Sequence, residues 1–191
     1  MTSTSLIRGA DLVASPWKNG GGVTREVAVY PAGASMDAFA WRVSIADVAQ
    51  AGPFSRFDGI DRTLVLLDGA GMVLHEGART HTLESPLEIA RFTGEASIDA
   101  SPVDGPTRDF NLMVHHDAAH GTLDVWRAGE SHDIDADTAL LYCAQGSISI
   151  SVNDAKRITL EQGDTLRIDR CKAYFSTHGA GTLLAIALRK K

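Results

Sequence analysis

"LVLLDGAGMVLHEG", residues 64–77, runs from four apolar residues through a glycine-containing turn into a second apolar run. "ALLYCAQGSISISVN", residues 139–153, repeats the plan: a shift of 75 residues sets Leu66 on Leu141 and Gly71 on Gly146. Short apolar or alternating runs bounded by turn residues read as β-strands. More of them surround the repeat, at Trp41 to Ile45, Phe110 to Val114, Thr165 to Ile168 and Leu183 to Leu188, punctuated by Gly, Pro, Asp and Asn. The one helical expectation is a single turn over Ala46 to Ala51, ended by Gly52-Pro53.

Two β-rich halves of one plan predict an all-β chain built as a duplicated jelly roll. The expected fold is a double-stranded β-helix of the RmlC-like type, a bicupin. Its lobes would span 1–118 and 119–191 and pack as one compact unit. The 191 residues suffice for such a core. With 44% hydrophobic and 22% charged residues, no bilayer-length apolar run and no signal-peptide pattern, a cytoplasmic protein without a membrane partner is expected. Cys143 and Cys171 lack metal-type spacing and read as reduced thiols. A net charge of −6 without a basic stripe argues against nucleic acid.

"SPWKNGGGVTREVAVYP" (15–31) invites a phosphate-loop reading, which its order excludes. A P-loop needs lysine after the glycines, then Ser or Thr, at a helix start. Lys18 instead precedes Gly20, Gly21 and Gly22, and the β-branched run that follows, closed by Pro31, is strand-like. Two readings stay open. The glycines are plain turn formers with Trp17 as a core plug, or the turn forms the wall of a pocket.

Histidine placement points away from a metal. The cupin His-x-His pattern is absent; His75 and His81 with Glu76, and His115, His116 and His120, are the nearest candidates. Neighbouring His115 and His116 would point to opposite faces of a strand. We therefore expect no metal and no cofactor. There is no Gly-x-Ser-x-Gly elbow, and no catalytic residue is assigned.

Strand alternation is more informative. In "WRVS", Arg42 and Ser44 share a face opposite Trp41 and Val43; in "RDFNLMV", Asp109, Asn111 and Met113 oppose Phe110, Leu112 and Val114. In "TREVAV", Arg25 goes with Val27 and Val29, and Glu26 with Thr24 and Ala28. Phe54 and Phe57 read as core anchors beside a turn, and Asp61-Arg62 as a local ion pair.

Three segments, "PWKNGGGVTREV" (16–27), "FAWRVSIADVAQAGPFSRFDGIDRTLVLLDGAGMVL" (39–74) and "RDFNLMV" (108–114), resemble the HutD/Ves family of bacterial proteins, often encoded with histidine-utilisation enzymes. The resemblance implies a two-lobed cupin without the usual metal ligands. It also implies binding of a small anionic or imidazole ligand, urocanate or a formimino- or formyl-glutamate, to tune histidine utilisation. It favours the pocket reading, with Lys18, Asn19, Thr24, Arg25, Glu26, Arg42, Ser44, Arg62, Asp109 and Asn111 as the ligand-reading set. One departure stands out: the family commonly continues with arginines where this chain has His115-His116, which implies weaker or pH-dependent binding. Three other readings are carried. They are an enzyme acting on the same ligands with Glu26 or Asp109 as base, a metal-dependent cupin, and a dimerisation module, since cupins often pair as homodimers.

Overall fold

The computed structural model describes residues 3–191. The chain starts with β1 (Ser3–Ile7) and a short 3-10 turn at Gly9–Asp11. Next come β2 (Ala14–Pro16), β3 (Gly22–Tyr30), β4 (Trp41–Val48), β5 (Gly52–Pro53), β6 (Ile60–Asp68), β7 (Met72–Glu76), β8 (Arg79–Leu83), β9 (Ile89–Thr93), β10 (Ile98–Pro102) and β11 (Thr107–His115). The last strands are β12 (Ala119–Arg127), β13 (Ser131–Gln145), β14 (Ser147–Val152), β15 (Ile158–Glu161), β16 (Thr165–Gly179) and β17 (Thr182–Lys190). The fold is all-β, a duplicated cupin. No helix among the described residues is long and apolar enough to cross a membrane.

The chain divides into two compact units. Val13–Ala119 forms one, and His120–Lys191 with the residues up to Leu12 forms the other. In Val13–Ala119 a six-stranded sheet, ordered β2-β3-β4-β11-β6-β9, is complemented by a four-stranded sheet, β5-β10-β7-β8. Alternating residues of both sheets meet in one hydrocarbon core: Val48, Leu64 and Leu66 from the first, Met72, Leu74, Ile98 and Ala100 from the second. In the other unit the path β12-β17-β13-β16-β14-β15 closes around Leu141, Ile148, Leu166, Ile168 and Phe175. The repeat is physical: Leu66 and Leu141 are fully buried, and Gly71 and Gly146 both hold positive φ (145° and 66°) where the chain turns into β7 and β14. That backbone region is open to glycine at little cost.

Two details differ from the sequence reading. Ala46 to Ala51 is not helical: β4 carries on to Val48, because Ala46 and Val48 alternate toward buried positions along the pleat. Residues 3–12 also leave the first lobe. β1 runs antiparallel to β16, from Ser3 opposite Asp169 to Ile7 opposite Thr165. Its side chains are exposed up to Leu6 and its apolar pair, Leu6-Ile7, does not alternate, so no apolar pattern signals which sheet it joins. Asp164 fastens it: one carboxylate oxygen accepts from Arg8 Nη1 at 2.6 Å and from the Glu161 N–H at 3.2 Å, the other from the Gly9 N–H at 3.1 Å.

Asp164→Ala leaves those donors without their acceptor, a loss of about 1–3 kcal/mol. The melting temperature should fall by roughly 3–8 °C in calorimetry. An unchanged transition would mean that the β1–β16 ladder alone holds the N-terminal strand.

Candidate functional site

The register of β3, β4, β11 and β6 aligns side chains in rows across one face of the six-stranded sheet. Thr24, Ala46, Asp109 and Leu66 are successive partners in one row; Glu26, Ser44, Asn111 and Leu64 in the next; Val29, Arg42, Met113 and Arg62 in the third. A bulge in β3 between Glu26 and Ala28 makes this possible, since it restores Val29 to the face of Glu26 and moves it off that of Arg25. The rows open into a cavity of about 480 Å³ within Val13–Ala119. That lies in the size range of small-molecule sites, ~300–1,000 Å³.

The deepest polar groups are Ser44, Arg62, Asp109 and Asn111, all buried. The Arg62 guanidinium lies 5.2 Å from the Phe54 ring centre, 5.1 Å from Phe92 and 6.0 Å from Phe57. Cation–π attraction of about 0.5–2 kcal/mol per well-placed ring offsets part of its lost hydration. Arg62 Nε makes a long hydrogen bond to Asn111 Oδ1, 3.5 Å. Burial lowers the Arg62 pKa to about 10, against the opposing pull of Asp109, so the group stays charged at neutral pH. Arg42 is aimed by its neighbours: Nε donates to Glu26 Oε2 at 2.8 Å and Nη1 to Ser44 Oγ at 3.3 Å.

Asp109 is the opposite case. Its Oδ1 is buried with no hydrogen-bond partner. Burial pushes its carboxyl up to about 7, resisted by the Arg62 charge and reinforced by Asp47.

The glycine stretch proves to be both a turn and a rim. Gly20 (φ 72°) turns the chain, the Gly21 N–H donates to Asn19 Oδ1 at 3.0 Å, and Trp17 Nε1 donates to Thr24 Oγ1 at 2.8 Å. A Cβ on Gly22 would collide with the Asp47 carbonyl oxygen and crowd the Trp17 ring, so the ring packs where only glycine fits. Trp17, Lys18 and Asn19 thereby edge the cavity.

Eight of the ten expected residues line this cavity: Lys18, Asn19, Thr24, Arg42, Ser44, Arg62, Asp109 and Asn111. Two do not. Arg25, opposite Ile45 in the register, lies on the other face and pairs with Asp47 at 2.5 Å. Alternation itself forbids Thr24 and Arg25 from sharing a face. Glu26 is Arg42's anchor and not a lining group. Asp61 and Arg62 are not the expected local pair, because Arg62 turns inward while Asp61 is exposed near His116. His115 packs over Gly59, and His115 and His116 are both outside the cavity lining, so the departure from the arginine pattern does not alter its walls. Phe54 and Phe57, read as core anchors, serve as walls for Arg62. The aromatic spacing around Gly52-Pro53 was visible, but not its partner.

The cavity's donor set does not fit a transition metal. It offers one carboxylate, one side-chain amide pair and no imidazole, beside two guanidinium groups. Among the described residues no group of three or more His, Cys, Asp or Glu is placed to hold a metal ion. Of the hydroxyls on the lining, Ser44 Oγ accepts from Arg42 Nη1 and Thr24 Oγ1 from Trp17 Nε1. Cys143 and Cys171 lie in the other unit, and burial pushes both thiols up to about 11.

Residues 9–185 match the HutD family profile. The chain belongs to the HutD family. It is 34% identical over 171 residues, 88% of each chain, to an uncharacterized 21.2 kDa protein in the hutC 3' region of Pseudomonas putida. It is 41% identical over 104 residues to Protein Ves of Citrobacter koseri, covering 53% of this chain and 52% of that one. HutD from Pseudomonas fluorescens SBW25, solved in a formate condition, superposes with a TM-score of 0.85 at 31% identity over 99% of this chain and all of that one (100%). Membership links this chain to histidine utilisation.

The Asp109 carboxyl sets a pH signature. Its pKa is raised from 3.8 to about 7 on folding. The folded protein therefore keeps a proton that the unfolded chain releases between those values, and this contribution to stability declines as pH rises through that window, then levels off. Asp109→Asn removes the titration. Its melting temperature should gain on wild type from pH 4.5 to about 7 and keep that lead, of several degrees or more, at pH 8. A gap that does not change with pH would show that Asp109 ionises normally.

Proposed function

We propose that this protein is a metal-free cytoplasmic cupin that binds a small carboxylate-bearing intermediate of histidine degradation and so tunes histidine utilisation. The ligand class is urocanate or a formimino- or formyl-glutamate. The supporting observation is the meeting of Arg42, Arg62, Ser44, Asn111 and Asp109 in one cavity whose floor, Ala46 and Leu64, is apolar. A planar guanidinium holds a carboxylate through paired hydrogen bonds. Arg42, braced by Glu26, points such a fork into the cavity, and Lys18 adds charge at the rim. Asn111 and Asp109 face the remainder of the molecule with amide and carboxyl groups, while Phe54, Phe57 and Met113 cover its apolar atoms. Desolvated charged hydrogen bonds contribute about 1.5–3 kcal/mol each. A few suffice for micromolar affinity, about 8 kcal/mol, after the cost of association.

One observation favours a second reading, turnover of the same ligand. A buried carboxyl near neutrality suits general acid–base work. In such an enzyme Asp109 would move a proton to or from the bound molecule or a water beside it.

Thermal-shift and calorimetric titrations of the purified protein test the binding reading with urocanate, formiminoglutamate, N-formyl-glutamate, glutamate and histidine. At least one intermediate should raise the melting temperature at millimolar concentration by mass action. Silence from the whole panel defeats the proposal. Arg42→Ala should weaken the bound member tenfold or more, about 1.4 kcal/mol, with the melting temperature of the unliganded protein little changed. Protein prepared without chelators should carry far less than one equivalent of transition metal, and EDTA should leave the affinity as it was. Product released in catalytic amounts would transfer the assignment to the second reading.

A further inference from the structure

We infer that Asp109 accepts a hydrogen bond from an N–H of the bound molecule, and that making this bond releases a proton from the carboxyl. The inference rests on the binding reading above and names the ligand feature that the deep end of the cavity selects. Asp109 is 1% exposed and lines the cavity, yet its Oδ1 has no donor. A buried acceptor without a partner is rare in folded proteins, and of the unpartnered buried side-chain atoms among the described residues, Thr107 Oγ1, Asp109 Oδ1 and Thr165 Oγ1, only the Asp109 oxygen belongs to a residue of the cavity wall. Its row neighbours, Ala46 and Leu66, bring no side-chain donor. Arg62 directs its Nε to Asn111, and Arg42 is engaged by Glu26 and Ser44.

The charged groups around Asp109 come from every neighbouring strand. Arg62 faces it from β6, Arg42 from β4 with Glu26 from β3 attached, and Lys18 from the β2–β3 turn at the rim. Asp47 acts through β4 from the opposite face, where it holds Arg25 and Arg108. Histidine is missing from the cavity lining. Near neutrality the carboxyl is therefore divided between its protonated and ionised forms, and an N–H donor binds the ionised one. The ligands selected carry a carboxylate for the guanidinium groups at one end and an N–H at the other. A plain dicarboxylate of similar length, such as glutarate, lacks that second feature.

N-formyl-glutamate is the probe, because none of its groups titrates between pH 5.5 and 8.5, carboxylates lying near ~4. Isothermal titration across that range, in two buffers of different ionisation enthalpy, gives both Kd and the protons exchanged. The dissociation constant should rise about tenfold per pH unit below about pH 7 and flatten above it, as the competent fraction dictates. Close to one proton should be released at pH 6, and glutarate should bind at least tenfold more weakly without releasing one. Asp109→Asn should give a flat profile; should that variant fail to fold, the wild-type proton count decides alone. A flat wild-type profile without proton release overturns the inference and leaves the binding reading standing. Tighter binding at low pH also overturns it, since Asp109 would then be the donor. Failure of N-formyl-glutamate to bind overturns it as well, and defeats the binding reading too only if urocanate and formiminoglutamate also fail.

Discussion

The burial of a guanidinium among three phenyl rings is the constraint around which Val13–Ala119 is arranged. Removing Arg62 from water carries a penalty of several kcal/mol that no single contact in its surroundings cancels. The aromatic faces, the Asn111 amide and the nearby Asp109 carboxyl each offset part of it. Asp109 is in turn ionised less readily than a surface aspartate because it shares the same dry space. Neither group would be retained at the bottom of a barrel for stability alone, since well-packed hydrocarbon in the same volume is usually at least as good.

The second unit shows that alternative. Leu141 and Ala139, the counterparts of Leu66 and Leu64, have Ala185 and Ala187 beside them on β17 where the first unit places Asp109 and Asn111 on β11. Ala185 and Leu141 lie in a continuous apolar core with Ile148, Leu166 and Phe175. One strand plan thus supports a filled barrel and a barrel with polar walls. The difference lies in a handful of inward positions, not in the backbone. Stability and recognition usually pull against each other in one site. A duplicated fold lets them occupy separate copies.

This division explains what the sequence revealed. The β character and the duplication were legible because strand patterning and positive-φ glycines are local properties, as at Gly71 and Gly146. The inward set Arg42, Ser44, Asp109 and Asn111 was legible because side-chain alternation on an unbroken strand has period 2. Reading failed where a non-local fact intervened. The bulge at Val27 breaks the period in β3, and nothing in "TREVAV" announces it. Arg62 looked like half of a surface pair because the fold brings rings to it from two segments, Phe54 and Phe57 from the loop before β6 and Phe92 from β9. β1 looked like the start of the first lobe because its partner, β16, lies more than 150 residues away in the chain.

The rim carries the remaining argument. The protein is acidic overall, with a formal net charge of −6, so an anion approaching at random meets repulsion over most of the surface. Within a cleft of low-dielectric walls, however, local charge dominates the potential. The turn at 17–22 supplies that charge where the cavity opens, and its geometry is fixed by internal bonds. Trp17 is seated over Gly22 and tied to Thr24, and Asn19 Oδ1 is committed to the Gly21 N–H. The Asn19 amide stands on the cavity lining alongside the Lys18 ammonium. The triple glycine thus shapes the entrance: it lets the chain double back tightly enough to set the Lys18 ammonium and the Asn19 amide at the edge of a pocket with Arg62 and Asp109 at its bottom. A molecule that carries both a carboxylate and an N–H would match both groups at the bottom, the first on a guanidinium and the second on Asp109, whereas a plain anion would bring Asp109 no donor.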